Sequence, residues 1–158
     1  MSMPALEMQQ AVFALARAVD LVDIRTVGFS AKTLEPAREG QQLAVAVEPE
    51  VKTAQLPDGF VVEARFTLKA RAGSEAGHEF LEMFYHVGAV YRLASALPPV
   101  EVLGAFAETN GMIHLWPYFR AYVQQTCAQL GLPPIILPPF RISPGMSTGQ
   151  VSDSQARN

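Results

Sequence analysis

The sequence predicts an α+β fold, a four-stranded antiparallel sheet with helices packed on one face. Three observations carry this. Four β-rich runs, residues 21–31, 43–54, 60–71 and 79–93, follow one another with turn residues and no helical stripe between them. Stripes of helical period occur only before the first run and after the last. Strands gathered in this way form antiparallel hairpins rather than the alternating units of a parallel sheet.

Residues 4–19 begin the chain as a helix, with Leu6, Val12, Phe13, Leu15, Ala16 and Val19 spaced along one stripe. The first strand changes phase. Val22 and Ile24 share one face and Val27, Phe29 and Ala31 the other, so a bulge is expected near residues 25–28. Pro36 and Gly40 make residues 34–40 a loop. Leu43, Val45 and Val47 mark the second strand, which Leu56-Pro57-Asp58-Gly59 turns into the third. There the alternation is cleanest: Phe60, Val62, Ala64, Phe66, Leu68 and Ala70 face one way, and Glu63, Arg65, Thr67, Lys69 and Arg71 the other. This is a strand with one wet face. Residues 73–77 close the next hairpin.

The fourth strand is apolar on both faces. Leu81, Met83, Tyr85, Val87, Ala89 and Tyr91 occupy one, Phe80, Phe84 and Val90 the other. Each large side chain gains about 1.5–3 kcal/mol on burial, so both faces call for a cover. After Pro98-Pro99, residues 100–108 read as a short helix stopped by Asn110-Gly111. A second helix is expected from Pro117, with Phe119, Val123, Cys127 and Leu130 on its core side and Gly131 at its end. Four prolines keep residues 132–140 extended against the body. The expected organisation is one domain over 1–142 and a disordered polar tail over 143–158.

Hydrophobic residues make up 49% and charged residues 17%, against about 25% charged in an average domain. So few charges leave apolar surface for self-association or binding. A net charge of −3 with no basic stripe argues against nucleic acid. No segment approaches the roughly 20 apolar residues of a membrane span. The single cysteine, Cys127, excludes an internal disulfide and favours a reducing compartment, the cytoplasm.

Catalytic patterns are missing. His78 and His86 lie eight residues apart on one strand face, roughly 26 Å, and cannot share an ion within one chain. His114 stands alone beside Trp116, and Cys127 falls in the core phase of its helix. Glu79 and Glu82 point to opposite faces, while Glu48 and Glu50 read as a solvated strand end. No glycine-rich phosphate loop, nucleophile elbow or zinc-protease helix occurs. The chain is expected to act without catalysis, metal or cofactor. Its aromatic residues, Trp116, Tyr118, Phe119 and Tyr122 among them, exceed what one helix layer on one sheet face needs.

Two separated motifs resemble the SecB family of export chaperones. The first is Leu103-Gly104-Ala105-Phe106 followed by Leu115-Trp116-Pro117-Tyr118-Phe119-Arg120. The second, one helix later, is Leu132-Pro133-Pro134-Ile135-Ile136-Leu137-Pro138-Pro139-Phe140. With the four preceding strands, the resemblance covers about residues 21–142. It implies a homotetramer, a dimer of dimers, that holds unfolded preprotein in apolar grooves without ATP and hands it to the ATPase SecA. By the same resemblance Phe80, Phe84, Tyr85, Trp116 and Phe119 are the groove residues. Leu81, Met83, Val87 and Tyr91 are assigned to the subunit interface. Arg120 is expected to pair with a carboxylate near the helix start, and Tyr118 to bond a backbone group. Two departures stand out. There is no carboxylate in residues 26–30, where the family's SecA-facing acids would sit, and the tail after Ile142 is not acidic. The helix before the first strand resembles instead the SecB-like chaperones that guard an aggregation-prone antitoxin. The competing reading is a non-catalytic adaptor whose apolar surface is spent on self-assembly.

Overall fold

A computed structural model describes residues 2–35, 42–73 and 77–142; most of the expected 34–40 loop and the whole 143–158 tail lie outside them. The chain runs α1 (Ala5–Ala18), β1 (Val19–Thr33), β2 (Leu43–Leu56), β3 (Gly59–Ala72) and β4 (Glu79–Leu93). It continues through α2 (Val100–Phe106), a π-helical turn (Ala107–Gly111) and α3 (Met112–Gln129). The strands form one antiparallel sheet in the order β1-β4-β3-β2. The last strand in sequence thus occupies the interior of the sheet, paired on both sides.

The clean alternation of β3 becomes a clean division of faces. Phe60, Val62, Ala64, Phe66, Leu68 and Ala70 are wholly buried beneath the helices, beside Leu81, Met83, Val87, Ala89 and Tyr91 of β4. Val102, Leu103 and Phe106 of α2 and Leu115, Trp116, Phe119, Val123 and Cys127 of α3 close the core from above. Phe66 and Phe119 stack with centroids 4.4 Å apart, and Phe60 stacks on Tyr91 at 5.1 Å.

Gly59 is required by a close approach, not by a positive φ. A Cβ there would lie 1.9 Å from the Tyr91 carbonyl oxygen. β1 carries the expected bulge between Thr26 and Gly28, and a second between Leu21 and Asp23 that the sequence reading missed. A third irregularity, between Ala70 and Arg71, leaves Phe80 without a partner on β3. It breaks the alternation of β4 there, and the Phe80 ring joins the core at 2% exposure instead of facing outward.

Asn110-Gly111 does not stop the first helix. Both termini of the π turn keep right-handed helical dihedrals, and Gly111 has φ −58° and ψ −45°. The turn packs so closely on β3 that a Cβ on Gly111 would sit 2.9 Å from the Val62 side chain. Glycine here serves contact rather than termination. Pro117 accordingly stands inside α3 and not at its start. The end of α3 is as expected. Gly131 takes φ +67°, its N–H bonds the Ala128 carbonyl, and the Leu132 N–H bonds the Cys127 carbonyl. This is a Schellman arrangement. Residues 132–142 then run without regular secondary structure.

Candidate functional site

The helices pack on β4, β3 and β2 and reach β1 through Tyr122 of α3. The β1 row that shares the helix side of the sheet, with Leu21 opposite Tyr91 and Phe29 opposite Tyr85, is otherwise left open. Phe29 is 68% exposed. Its ring lies 5.7 Å from that of Tyr122 on α3, which stacks at 4.7 Å on Tyr85, which continues to Phe119 at 6.2 Å. A rank of aromatic rings thus runs from solvent at β1 into the core. Its polar edges are satisfied: the Tyr122 hydroxyl donates to the Ser30 carbonyl at 2.7 Å, and Tyr85 and Thr26 share a hydroxyl bond of 2.8 Å. Burial raises the Tyr122 phenol above its ordinary pKa, so the hydroxyl stays a donor at neutral pH. Val22 and Val27, at the two bulges, add further exposed apolar surface to the same strand.

A second apolar concavity lies between α1 and the long helix. Met8, Val12, Phe13 and Ala16 of α1 face Ala105, Thr109 and Asn110, with Ile142 at the side, around an open groove of about 340 Å³. The π turn shapes its floor, since Thr109 spends its hydroxyl on the Ala105 carbonyl. Phe13 stays 64% exposed, with the Arg17 guanidinium 5.8 Å from its ring centroid.

The residues assigned from the sequence divide differently. Leu81, Met83, Val87 and Tyr91 are at most 1% exposed within a single chain, so they are core and have no surface left for another subunit. Periodicity showed that they share a face; it could not show that this chain's own helices cover it. Phe80, Tyr85, Trp116 and Phe119 are likewise buried in the core, although Tyr85 reaches the open strip through Tyr122. Phe84 alone of the five groove candidates lies on the outer sheet face, half-buried between Ser30 and Thr67. That face mixes charged residues with the Val61–Val90 pair. Lys32, Glu82 and Lys69 stand in register across it, and His86 meets Glu63 at 3.2 Å. Arg120 does not find the expected carboxylate; its Nε is buried with no partner among the described residues. Tyr118 is half-exposed. The sequence reading missed Phe29, Met8 and Phe13 as surface groups, because apolar spacing alone does not tell an open strand or helix face from a covered one.

Catalytic geometry does not emerge. Among the described residues no group of three or more His, Cys, Asp or Glu is placed to hold a metal. His114 shares a 2.7 Å hydrogen bond with the buried Tyr91 hydroxyl, and burial lowers the pKa of His114. Cys127 is buried, which raises its thiol pKa and suppresses the thiolate. No helix among the described residues is long and apolar enough to cross a membrane.

An open edge strand, one long helix continuous through a π turn, an antiparallel sheet and a proline-rich extension together make up the SecB-like architecture. In fold and in sequence the chain is similar to SecB-like chaperones, as its two motifs indicated. No family model matches it. It is similar to a solved structure of the Mycobacterium tuberculosis Rv1957 SecB-like chaperone in complex with a ChAD peptide from the Rv1956 HigA1 antitoxin, with a TM-score of 0.77 and 26% identity. That match covers 85% of this chain and 99% of the other. In sequence it is 33% identical over 96 residues to the SecB-like chaperone MT2006 of M. tuberculosis strain CDC 1551 / Oshkosh, covering 58% of this chain and 51% of that protein. It is 42% identical over 52 residues to the SecB-like chaperone Rv1957 of strain ATCC 25618 / H37Rv, covering 30% of this chain and 29% of that one. The chain thus spans about half the length of the first of these curated relatives, and less of the second.

Proposed function

We propose that this chain is a holding chaperone that keeps an aggregation-prone polypeptide, an antitoxin in particular, unfolded and soluble without ATP and without covalent chemistry. The open aromatic rank Phe29–Tyr122–Tyr85 carries the reading. It offers a polypeptide flat apolar rings with satisfied polar edges, and a free strand edge beside them. The antitoxin peptide bound by the similar M. tuberculosis chaperone supports this kind of client. Export through SecA receives less support, since the outer sheet face mixes Lys32, Lys69 and Arg65 with Glu82 and Glu63 instead of presenting an acidic patch. Assembly as a homotetramer and action in the cytoplasm belong to the same proposal. Exposed Leu21 and Val22 on the edge strand support self-association, and the unpaired Cys127 suits a reducing compartment.

The test is suppression of aggregation of a chemically unfolded protein, followed by light scattering in the absence of nucleotide. Suppression near equimolar chain supports the proposal. No suppression at several-fold excess, with the chain assembled in solution, would favour the adaptor whose apolar surface is spent on self-assembly.

A further inference from the structure

The extended segment after α3 lies against Trp116, one of the aromatic residues that the motifs mark as a groove. Residues 132–142 run back along α3. Leu132 bonds the Cys127 carbonyl, the Ile135 backbone reaches the Cys127 sulfur, and further along the Pro138 carbonyl accepts the Trp116 indole N–H at 2.7 Å. Phe140 lies 6.0 Å from the Trp116 ring. From residue 127 to 116 a helix spans about 17 Å, close to what five or six extended residues cover, so segment and helix lie side by side in opposite directions. The segment behaves as a strand without a sheet: Ile135 and Leu137 are buried at 7% and 6% exposure while Ile136 between them is 72% exposed.

Its attachment is mostly apolar. Pro133, Pro134, Pro138 and Pro139 have no N–H to donate, and beyond the helix cap no backbone–backbone hydrogen bond among the described residues holds it. An element fixed by two aliphatic pegs, one indole bond, a backbone contact to the Cys127 sulfur and the Phe140 ring is among the less costly parts of the fold to open. It also has the chemistry of a held client: extended, apolar at alternate positions, offering a carbonyl to an indole.

We propose that residues 132–140 are a built-in occupant of the groove along α3, and that an unfolded polypeptide binds there by displacing them. The client placed there presents apolar side chains two residues apart to the sites of Ile135 and Leu137, and a carbonyl to Trp116. This deepens the holding-chaperone reading and rests on it.

The Cys127–Ile135 contact supplies the experiment. Ile135→Cys in the full chain creates one possible disulfide, to Cys127, that fastens the segment to α3. The probe is dye-labelled, reduced and carboxymethylated α-lactalbumin, a permanently unfolded polypeptide with no free thiol, followed by fluorescence anisotropy. Binding at least tenfold weaker in the oxidised variant than in the same variant with reductant supports displacement. Binding within twofold in both forms overturns it while leaving the chaperone reading standing; failure of the unaltered chain to bind the probe removes both. Leu137→Ser tests the idea without a disulfide. Loosening the occupant should raise probe affinity several-fold, and an unchanged or lower affinity in a variant that keeps its cooperative thermal transition overturns the proposal.

Discussion

The Tyr122 hydroxyl donates to the Ser30 carbonyl at 2.7 Å, joining α3 to the open strand β1 across 92 residues of sequence. It is the hydrogen bond that holds the outer ring of the aromatic rank against the sheet. Tyr122→Phe keeps the ring and its stacking on Tyr85 while leaving the half-exposed carbonyl to water. A loss of about 1 kcal/mol is expected, read as a shift of a few degrees in the thermal midpoint. Client binding should weaken modestly as the ring loses its fixed orientation.

Phe29 is the open end of that rank, and its exposure separates binding from folding. Phe29→Asp removes an exposed ring with little packing to lose, so the thermal midpoint should stay within a few degrees. Aggregation suppression should fall several-fold. An equal loss of stability and suppression would mean that Phe29 acts in folding or assembly, which sedimentation of the variant would reveal.

Trp116 and Phe84 make the opposite pair. Trp116 is buried among Phe66, Phe119 and Phe140, so Trp116→Ala should cost about 3–5 kcal/mol. Denaturant unfolding would show this loss before any binding assay could. Phe84→Asp, on the half-buried outer face, should cost far less. Measuring both in one urea series tests the division of faces directly.

What the sequence could show follows from what periodicity measures. The alternation in β3 and the two-faced β4 gave the strands and their hairpins, because residues that share a face must share a cover; the interior place of β4 came only with the strand order. Periodicity does not name the cover. Leu81, Met83, Val87 and Tyr91 were assigned to a neighbouring subunit when this chain's own α2 and α3 lie on them. Phe29 passed unnoticed because its exposure depends on β1 being an edge strand with little cover, met by α3 only at Tyr122 among the contacts described. The continuity of the long helix through Gly111 was hidden for a related reason. Whether a glycine ends a helix depends on a tertiary contact, here with Val62, and not on its neighbours in sequence.

Gly59 offers a test of the sheet itself. The virtual Cβ sits 1.9 Å from a backbone oxygen of β4, which has no flexible end to move aside. Gly59→Ala should therefore force the β2–β3 turn away from Tyr91, at a cost on the order of 3 kcal/mol. Gly73 has a positive φ of 81° but open space around its Cβ position. Gly73→Asn, which tolerates that backbone, should be nearly neutral. Thermal melts of the two variants side by side distinguish a steric requirement from a conformational one.

The stability of the fold should depend on pH in a direction set by its buried titratable groups. Burial lowers the His114 pKa in the folded chain, so the unfolded chain binds the extra proton first. The contribution of His114 is full above its unfolded pKa of about 6.5 and falls as acid carries the pH below that value. Tyr91 and Cys127 act at the other end. Burial raises both pKa values in the folded chain, so their contributions are full below the unfolded values and decline as pH rises through about 9 for the thiol and 10 for the phenol. Unfolding free energy measured in urea should form a plateau between about pH 6.5 and 9 and fall on both sides. His114→Gln should flatten the acid slope without changing the alkaline one, and Cys127→Ala should reduce the fall that begins near pH 9. An acid slope that survives His114→Gln would place the responsible proton elsewhere.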